Sequence, residues 1–503
     1  MTLQDFGKTP WTKKELVKSI LYFCLHFIIL MFVVSAVMIS GKLSNLGPYM
    51  REHAADYLYA FFGILLIITI MFFYFFFEDK EMISKGKNVT MLFVILEVYF
   101  LLAWFLGLLN IYARPVALVG LLVFMLAGRK NAIFMNIISA LFIFIIDTFV
   151  GTTIATANEY YSSLIISFSA GMIAIFLCGY AKSRLRVVFV GMAIVIPIDL
   201  IIFLLEFSTL IDGEKTVQGI SDFQGIIVNM GFGLFGGVMS AVIFLSILPL
   251  FEIVFNRLTP FRLRELTSSD ATILKKLKEE APGTYNHSVM VAQLAEVCAA
   301  ALGEDVDVAR ASALYHDVGK LHNPEHFTEN QGEYNLHDEL SPELSADIIR
   351  SHAKDGATLI KHHHLPDFLA DVAVQHHGTL PIRYFYAKAL KLTDAELNIE
   401  DFSYLGPKPQ TKIAAIIMIA DASEAAVRAA NARTPEAVEK VIRKIIEERM
   451  NLDQFSECNI TMVELTKIRH ALVNALTGVY HHRIKYPNLR ITRTEDGVKG
   501  ERD

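Results

Sequence analysis

Apolar runs of bilayer-spanning length fill the first half of this chain and stop near residue 256, and that boundary constrains its architecture more than any other feature. Eight segments can be read there, roughly 18–40, 57–77, 90–110, 115–128, 132–151, 162–181, 185–205 and 223–255. Most approach the ~20 residues needed to cross a hydrocarbon core as a helix; the fourth is short and the last is long. A hydrophobic content of 53% over 503 residues is too high for an ordinary soluble protein, and the excess is confined to this region. The first segment is too long for a cleaved signal peptide and lacks a small-residue cleavage site, so it reads as a retained anchor.

Lysine and arginine in the short loops set the expected orientation. Lys8, Lys13, Lys14 and Lys18 precede the first span; Lys80, Lys85 and Lys87 follow the second; Arg129 and Lys130 follow the fourth; Lys182, Arg184 and Arg186 follow the sixth; Arg257, Arg262 and Arg264 follow the eighth. Every second loop is basic, which places both termini in the cytoplasm of a multi-pass cell-membrane protein. Cys24 and Cys178 fall inside spans, while Cys298 and Cys458 fall in the cytoplasmic part, where thiols stay reduced, so no disulfide framework is expected. A formal charge of −6 argues against a surface that coats a nucleic-acid polymer.

Beyond residue 256 the pattern is helical. His287, Val291, Leu294 and Cys298 recur at helix spacing, which puts His287 on a core-facing stripe. Further helices are expected over 306–321, 341–353, 366–377, 411–430, 435–449 and 461–479, with polar, break-rich loops at 322–340 and 395–410. Loops of that length in a compact domain are often functional. The fold class is therefore all-α: a polytopic helical membrane domain of about eight transmembrane helices followed by a cytoplasmic all-α domain. The expected boundaries are a cytoplasmic segment at 1–17, an anchor plus seven spans at 18–256, a helical connector at 257–280, the second domain at 281–485, and a charged, disordered tail at 486–503.

Fourteen of the sixteen histidines lie after residue 286. Among them, His287, His316 with Asp317, His352, and His376 with His377 make a candidate metal set together with Asp421. Imidazoles and carboxylates suit Mn, Fe, Zn or Ni better than Mg or Ca. Seven candidate ligands exceed what one ion needs if a substrate position is to stay open, so two ions are the simpler account. Asp317 has two oxygens with which to bridge them. Two such ions about 3.5–4 Å apart would activate water and clamp the oxygens of an in-line phosphoryl displacement, and Lys320 would add positive charge beside a phosphate oxygen. His362, His363 and His364 precede Leu365-Pro366 and read as a solvated run, as do His481 and His482. For His322, His326 and His337 a substrate-contact role and a surface role stay equally open.

Several stretches resemble the HD-domain phosphohydrolases, and more closely the seven-transmembrane HD family of bacterial cyclic-di-AMP phosphodiesterases. They are Glu280 to Ser288 (Glu-Ala-Pro-Gly-Thr-Tyr-Asn-His-Ser), Tyr315 to Lys320 (Tyr-His-Asp-Val-Gly-Lys), Glu329 to Gln331, Asn335 to Asp338 followed by Ser341-Pro342, Ser351-His352, Gln375 to Gly378, and Ala420 to Ala425. The resemblance implies that His287, His316, Asp317 and Asp421 hold one ion and Asp317, His352, His376 and His377 the other, with Asp317 bridging. It further implies two divalent cations, Mn²⁺ or Fe²⁺, hydrolysis of cyclic di-AMP to 5′-pApA, and catalytic roles for Asp317, Lys320 and His316. Tyr285, Gln331, Asn335 and His337 would face the substrate. The related HD-GYP enzymes carry Gly-Tyr-Pro after the histidine pair, whereas this chain has Gly378-Thr379-Leu380-Pro381. Members of the seven-transmembrane family usually carry a folded extracellular domain between the first two spans. Here about sixteen residues, Gly41 to Asp56, connect them, so the resemblance does not extend to sensing through such a domain. Asn286 stands where a second histidine is expected beside His287.

Charges inside spans are costly and point to function or to helix pairing. Glu97, Asp147 and Asp199 are such residues, and Arg114 lies between the third and fourth spans. Arg114, Asp147 and Asp199 could form a polar cluster that binds a small ligand, or an ion pair that fixes packing, the reading favoured slightly. The expected partners are a cyclic dinucleotide, the lipid bilayer and a second copy of the chain in a homodimer. Alternatives are an HD-type phosphohydrolase acting on cyclic di-GMP or a mononucleotide, a membrane receptor or scaffold with an inactive HD domain, and a transporter, which would leave the metal set unexplained.

Overall fold

Apolar runs become helices in the computed structural model, which describes residues 12–40, 42, 44, 46–150, 157–179, 183–212, 220–332, 334–394, 396–432, 434–479, 489–494 and 497–502. The chain divides into two compact units, Met1–Arg262 and Leu263–Asp503. The long helices of the first unit are α1 (Lys13–Met38), α2 (Ala54–Glu78), α3 (Gly86–Gly107), α4 (Leu118–Val150), α5 (Ala157–Cys178), α6 (Arg184–Ala193), α7 (Val195–Asp212) and α8 (Ile220–Val254). A capping box starts α1: the Thr12 hydroxyl accepts from the Glu15 amide and the Glu15 carboxylate accepts from the Thr12 amide. Seven helical stretches among the described residues are long and apolar enough to cross a membrane, against eight spans suggested by the sequence. The difference lies in the expected fourth and fifth, which fall in one stretch, Ile111–Phe149.

That stretch is not one straight rod. Gly128 breaks α4 with φ 84° and ψ 169°, a conformation only glycine adopts readily. Arg114, just before the helix, donates from Nη2 to Asp147 Oδ1 at 2.8 Å. A continuous helix would hold those ends more than about 40 Å apart at 1.5 Å per residue. The chain therefore doubles back at Gly128. Its first arm, from Leu118, rises only about 15 Å before the break, about half the hydrocarbon thickness, so the expected fourth span is a short arm rather than a full crossing. The irregular backbone leading into it packs against α8: a side chain at Gly236 would meet the carbonyl oxygens of Tyr112 and Arg114 at 2.6 Å. Non-helical backbone at membrane depth is tolerated where protein covers it in this way.

Polar side chains inside the first unit find partners across helices. Arg114 and Asp147 form a bidentate pair, each 1% exposed. Asp199 lies elsewhere, against Gly233 of α8. Asn229 of α8 bridges Glu206 of α7 (2.8 Å) and Asn110 (2.9 Å). Glu97 of α3 faces His26 of α1 at 3.7 Å, and the His26 ring stacks on Phe93.

In the second unit the helices are α9 (Thr272–Glu280), α10 (Pro282–Leu302), α11 (Val306–Tyr315), α12 (Pro342–His362), α13 (Asp367–Gln375), α14 (Arg383–Leu390), α15 (Lys412–Ala429), α16 (Pro435–Asn451) and α17 (Met462–Val479). The buried residues of α10 include Thr284, His287, Val291, Leu294 and Cys298, the stripe its spacing predicts. Residues Ala414 to Ala420 of α15 are buried without interruption, as in a helix enclosed on all sides; Thr411 caps it by accepting from the Ala414 amide at 3.1 Å. The helix expected over 306–321 ends at Tyr315 and tightens into a 3-10 turn over Val318–His322. The segment expected as a disordered tail pairs instead as an antiparallel hairpin, β1 (Leu489–Thr494) with β2 (Gly497–Arg502). The alternating Leu-Arg-Ile-Thr-Arg-Thr run has the β-branched content that favours a strand.

Candidate metal centre

Five elements converge on one buried point. α10 supplies His287, the turn after α11 supplies His316 and Asp317, α12 supplies His352, the end of α13 supplies His376 and His377, and α15 supplies Asp421. Their ligand atoms fall into two overlapping groups: Asp317, His352, His376 and His377 in one, and His287, His316 and Asp317 in the other, each within 4.8 Å. Asp317 belongs to both, and its oxygens divide the work. Oδ1 faces His352 Nε2 (3.3 Å) and His376 Nε2 (3.6 Å). Oδ2 faces His316 Nε2 (3.2 Å), His287 Nε2 (3.7 Å) and Lys320 Nζ (2.8 Å). Asp421 closes the second group, with Oδ1 at 3.0 Å from His287 Nε2 and Oδ2 at 3.9 Å from His377 Nδ1.

The donor set fits divalent cations. Ligand atoms each about 2.1 Å from one ion lie about 3.0–3.4 Å apart, and the Asp317–His352 and His352–His376 separations are both 3.3 Å. His316 Nε2 and Asp317 Oδ1 are buried without any hydrogen-bond partner, a costly arrangement in protein that a cation would relieve. The ring orientations are fixed from behind. His316, His352 and His376 each turn Nδ1 to the carbonyl three residues earlier, Ala313, Ile349 and Ala373, at 2.6, 2.5 and 2.8 Å. Donation there leaves the lone pair of Nε2 free toward the centre, available to ligate. His287 Nδ1 instead meets the Glu424 carboxylate at 2.8 Å, one helical turn beyond Asp421.

Charge in the centre is strongly coupled to burial. Burial opposes ionisation of Asp317, yet His316 and Lys320 hold its carboxyl well below the usual range. Burial likewise opposes ionisation of Asp421, and His287 outweighs it. Burial depresses His376, and burial with its neighbour His376 depresses His377 further, so both stay neutral and able to ligate. Burial disfavours the Lys320 ammonium, but Asp317 and Glu329 together raise its pKa above the ordinary value. Glu329 reaches Lys320 at 2.7 Å and accepts from the Thr284 hydroxyl at 3.1 Å, which ties the 322–340 loop to the centre.

The remaining sequence candidates are placed less directly. Tyr285 is half-buried on α10 beside an exposed Asn286. Gln331 Nε2 donates to Asn335 Oδ1 (3.4 Å), which also accepts from the His337 amide. His337 is buried with Nε2 on the His326 carbonyl (2.8 Å) and its ring against Phe385. His362, His363 and His364 are exposed; His481 and His482 lie outside the described residues. Two residues that sequence reasoning missed are Glu424, behind His287, and Tyr404, whose ring stacks on His377 at 4.2 Å. Glu424 had a signal, its one-turn spacing from Asp421. Tyr404 had only its place in a polar loop.

Comparison with known proteins finds matches for both units. Residues 284–426 match the HD domain family, and residues 54–259 match the family described as "7TM receptor with intracellular HD hydrolase". The cyclic-di-AMP phosphodiesterase PgpH of Listeria monocytogenes is 45% identical over 263 residues, 52% of this chain and 36% of the relative. The protein of the same name from Bacillus subtilis is 38% identical over 400 residues, 79% of this chain and 54% of the relative. The chain thus spans between about a third and about half of the length of these relatives. The crystal structure of the L. monocytogenes PgpH HD domain in complex with cyclic-di-AMP is 48% identical, with a TM-score of 0.41 over 42% of this chain and 99% of that one.

Proposed function

We propose that the chain belongs to the seven-transmembrane HD family and is a membrane-bound, metal-dependent phosphodiesterase that hydrolyses cyclic di-AMP to 5′-pApA. The observation that carries this reading is Asp317, whose two oxygens face two separate histidine sets inside one buried centre. In this reading His287, His316, Asp317 and Asp421 hold one divalent ion, and Asp317, His352, His376 and His377 hold the other. Imidazole and carboxylate donors favour Mn²⁺ or Fe²⁺. The bound ions would supply Lewis acidity at the phosphate and acidify a water.

The protein groups do the rest. His377, 22% exposed, and Asp421, 13% exposed, are the most open members of the set, so substrate enters on their side. Lys320 remains an ammonium between Asp317 and Glu329, placed to meet charge developing on a phosphate oxygen. Hydrolysis adds the water oxygen to phosphorus, breaks one P–O3′ bond and leaves its proton on the 3′ oxygen, opening the ring. The basic loops support an orientation with this unit in the cytoplasm.

The test uses full-length protein in detergent with Mn²⁺, assayed on cyclic di-AMP, cyclic di-GMP and mononucleotides, beside Asp317→Ala. Metal-dependent formation of pApA, lost in the variant, is the expected result. Preferential turnover of cyclic di-GMP or of a mononucleotide would move the assignment to another HD phosphohydrolase, and retained activity in Asp317→Ala would reject the bridging role.

A further inference from the structure

One aromatic ring borders the open side of the metal centre. Tyr404 lies over His377 with ring centroids 4.2 Å apart and planes inclined by 29°, and meets His352 edge-on at 6.0 Å. Backbone bonds, not side-chain packing alone, put it there. The Ile382 amide donates to the Phe402 carbonyl at 2.7 Å, and the Tyr404 amide donates to the Leu380 carbonyl at 3.0 Å. Pro381 and Ser403 form a β-bridge between them. The loop that carries Tyr404 is thereby fastened to the segment that directly follows the histidine pair, and a long-range position is converted into a fixed one.

The phenol lies near charged groups of the centre. It interacts electrostatically with Lys320, Asp317 and Asp421, which surround the space a phosphate must occupy to meet ions held by the centre. A phenol, which titrates at about 10, bears its proton throughout the neutral range and can donate. A phenol whose ring is pinned beside the metal ligands is a donor suited to stabilising charge that develops on a substrate oxygen.

We propose that Tyr404 is a catalytic residue whose hydroxyl donates a hydrogen bond to a non-bridging oxygen of the scissile phosphodiester, on the His377 side of the centre. This rests on the phosphodiesterase reading above. Tyr404 keeps its proton throughout; the water proton, not the phenolic one, ends on the departing 3′ oxygen. The role is confined to lowering the energy of the crowded, more negative phosphorus centre.

The experiment compares full-length wild type, Tyr404→Phe and Tyr404→Ala in detergent with Mn²⁺, on cyclic di-AMP and on bis(p-nitrophenyl) phosphate, with bound metal and Tm measured for each. Tyr404→Phe keeps the ring on His377 and removes only the donor. It is expected to lower kcat by about 100-fold or more on both diesters, as for the loss of one oxyanion donor, with KM, metal content and Tm close to wild type. A wild-type kcat in Tyr404→Phe, with metal lost only in Tyr404→Ala, would overturn the proposal and leave the ring as a buttress for His377. Turnover of bis(p-nitrophenyl) phosphate but not of cyclic di-AMP by the wild type would reject the dinucleotide reading, while the effect of Tyr404→Phe on the smaller diester still decides the Tyr404 role. Inertness of the wild type toward both diesters would reject both.

Discussion

Gly319→Ala should remove one of the two proposed metal sites while leaving the fold in place. Gly319 follows Asp317 by two residues, in the 3-10 turn that crosses α12. A Cβ at that position would lie 1.9 Å from the His352 carbonyl oxygen and 2.4 Å from the Gly356 nitrogen. Both are backbone atoms and cannot rotate away. Cβ atoms essentially never approach a neighbour closer than 3.0 Å, so the turn and the helix must separate by at least about 1.1 Å. His352 Nε2 and Asp317 Oδ1 are the groups that face each other across that seam, 3.3 Å apart. Metal–ligand distances tolerate about 0.2 Å, so the displacement exceeds the tolerance several-fold. Overpacking of this kind costs about 1–3 kcal/mol, which a unit of this size survives with Tm lowered by roughly 2–12 °C. The expected result, by elemental analysis after Mn²⁺ loading and gel filtration, is about one ion per chain instead of two. Cyclic-dinucleotide hydrolysis should fall by about 100-fold or more. Gly356→Ala is the control: its Cβ would meet Gly319 N at 3.1 Å and the Ala373 Cβ at 3.7 Å, a far smaller intrusion. Two ions and wild-type turnover in Gly319→Ala, or equal damage from both substitutions, would refute the reasoning.

Glu424→Ala should weaken Mn²⁺ binding at the His287 side by about 10–100-fold, since His287 Nδ1 loses the carboxylate that orients it; Glu424→Gln, which can still accept, should fall between, and a Mn²⁺ titration unchanged in both would dismiss Glu424 as a positioning residue. In metal-free protein, burial alone would lower the His287 pKa, but hydrogen bonds to Asp421 and Glu424 push it up to about 10 from an ordinary 6.5. A raised pKa stabilises the fold fully below the unfolded value and loses that contribution as pH rises through the folded one. The metal-free Tm should therefore decline between about pH 7 and pH 10, and a flat profile over that range would contradict it. In the membrane unit, Asp147→Leu strands the buried Arg114 guanidinium and should cost about 3–5 kcal/mol, with Arg114→Leu/Asp147→Leu recovering much of the loss in detergent melts; a double variant as unstable as the single would show that the pair itself is not the source.

The sequence was most informative where a physical period or a charge cost leaves a local mark. His287, Val291, Leu294 and Cys298 share the buried face of α10 because a 3.6-residue period can be counted without knowing the partner helices. Arg114 and Asp147 were suspect because charge in an apolar span is expensive, although nothing in the sequence chose Asp147 over Asp199 as the partner. The reversal at Gly128 was hidden, because one glycine in an apolar run does not declare its φ, and a break between two apolar segments reads as a polar loop. Helix α14 was also missed: Arg383 to Leu390 lacks a strong cap and is flanked by a stretch whose character is set by long-range pairing with Ser403. Tyr404 belongs to the same class. Its position depends on two backbone bonds to residues more than twenty positions away, and no local pattern encodes them.

Charge balance links the metal-free and metal-loaded states of the centre. Asp317, Asp421, Glu329 and Glu424 contribute four negative charges around it, and Lys320 returns one positive charge. With neutral imidazoles the net value is about −3, which a buried site cannot sustain without compensation. Without cations, the imidazolium of His287 between Asp421 and Glu424 supplies part of that compensation, which is why its pKa is pushed up to about 10 against the effect of burial. Two divalent cations would reverse the sign to about +1, and a phosphodiester brings −1 per phosphate. The proton on His287 thus occupies the place of a metal charge, and cation binding must expel it. Apparent Mn²⁺ affinity should accordingly increase with pH across the neutral range, and the same four carboxylates that make the empty centre costly would hold the loaded one close to electroneutral with its substrate.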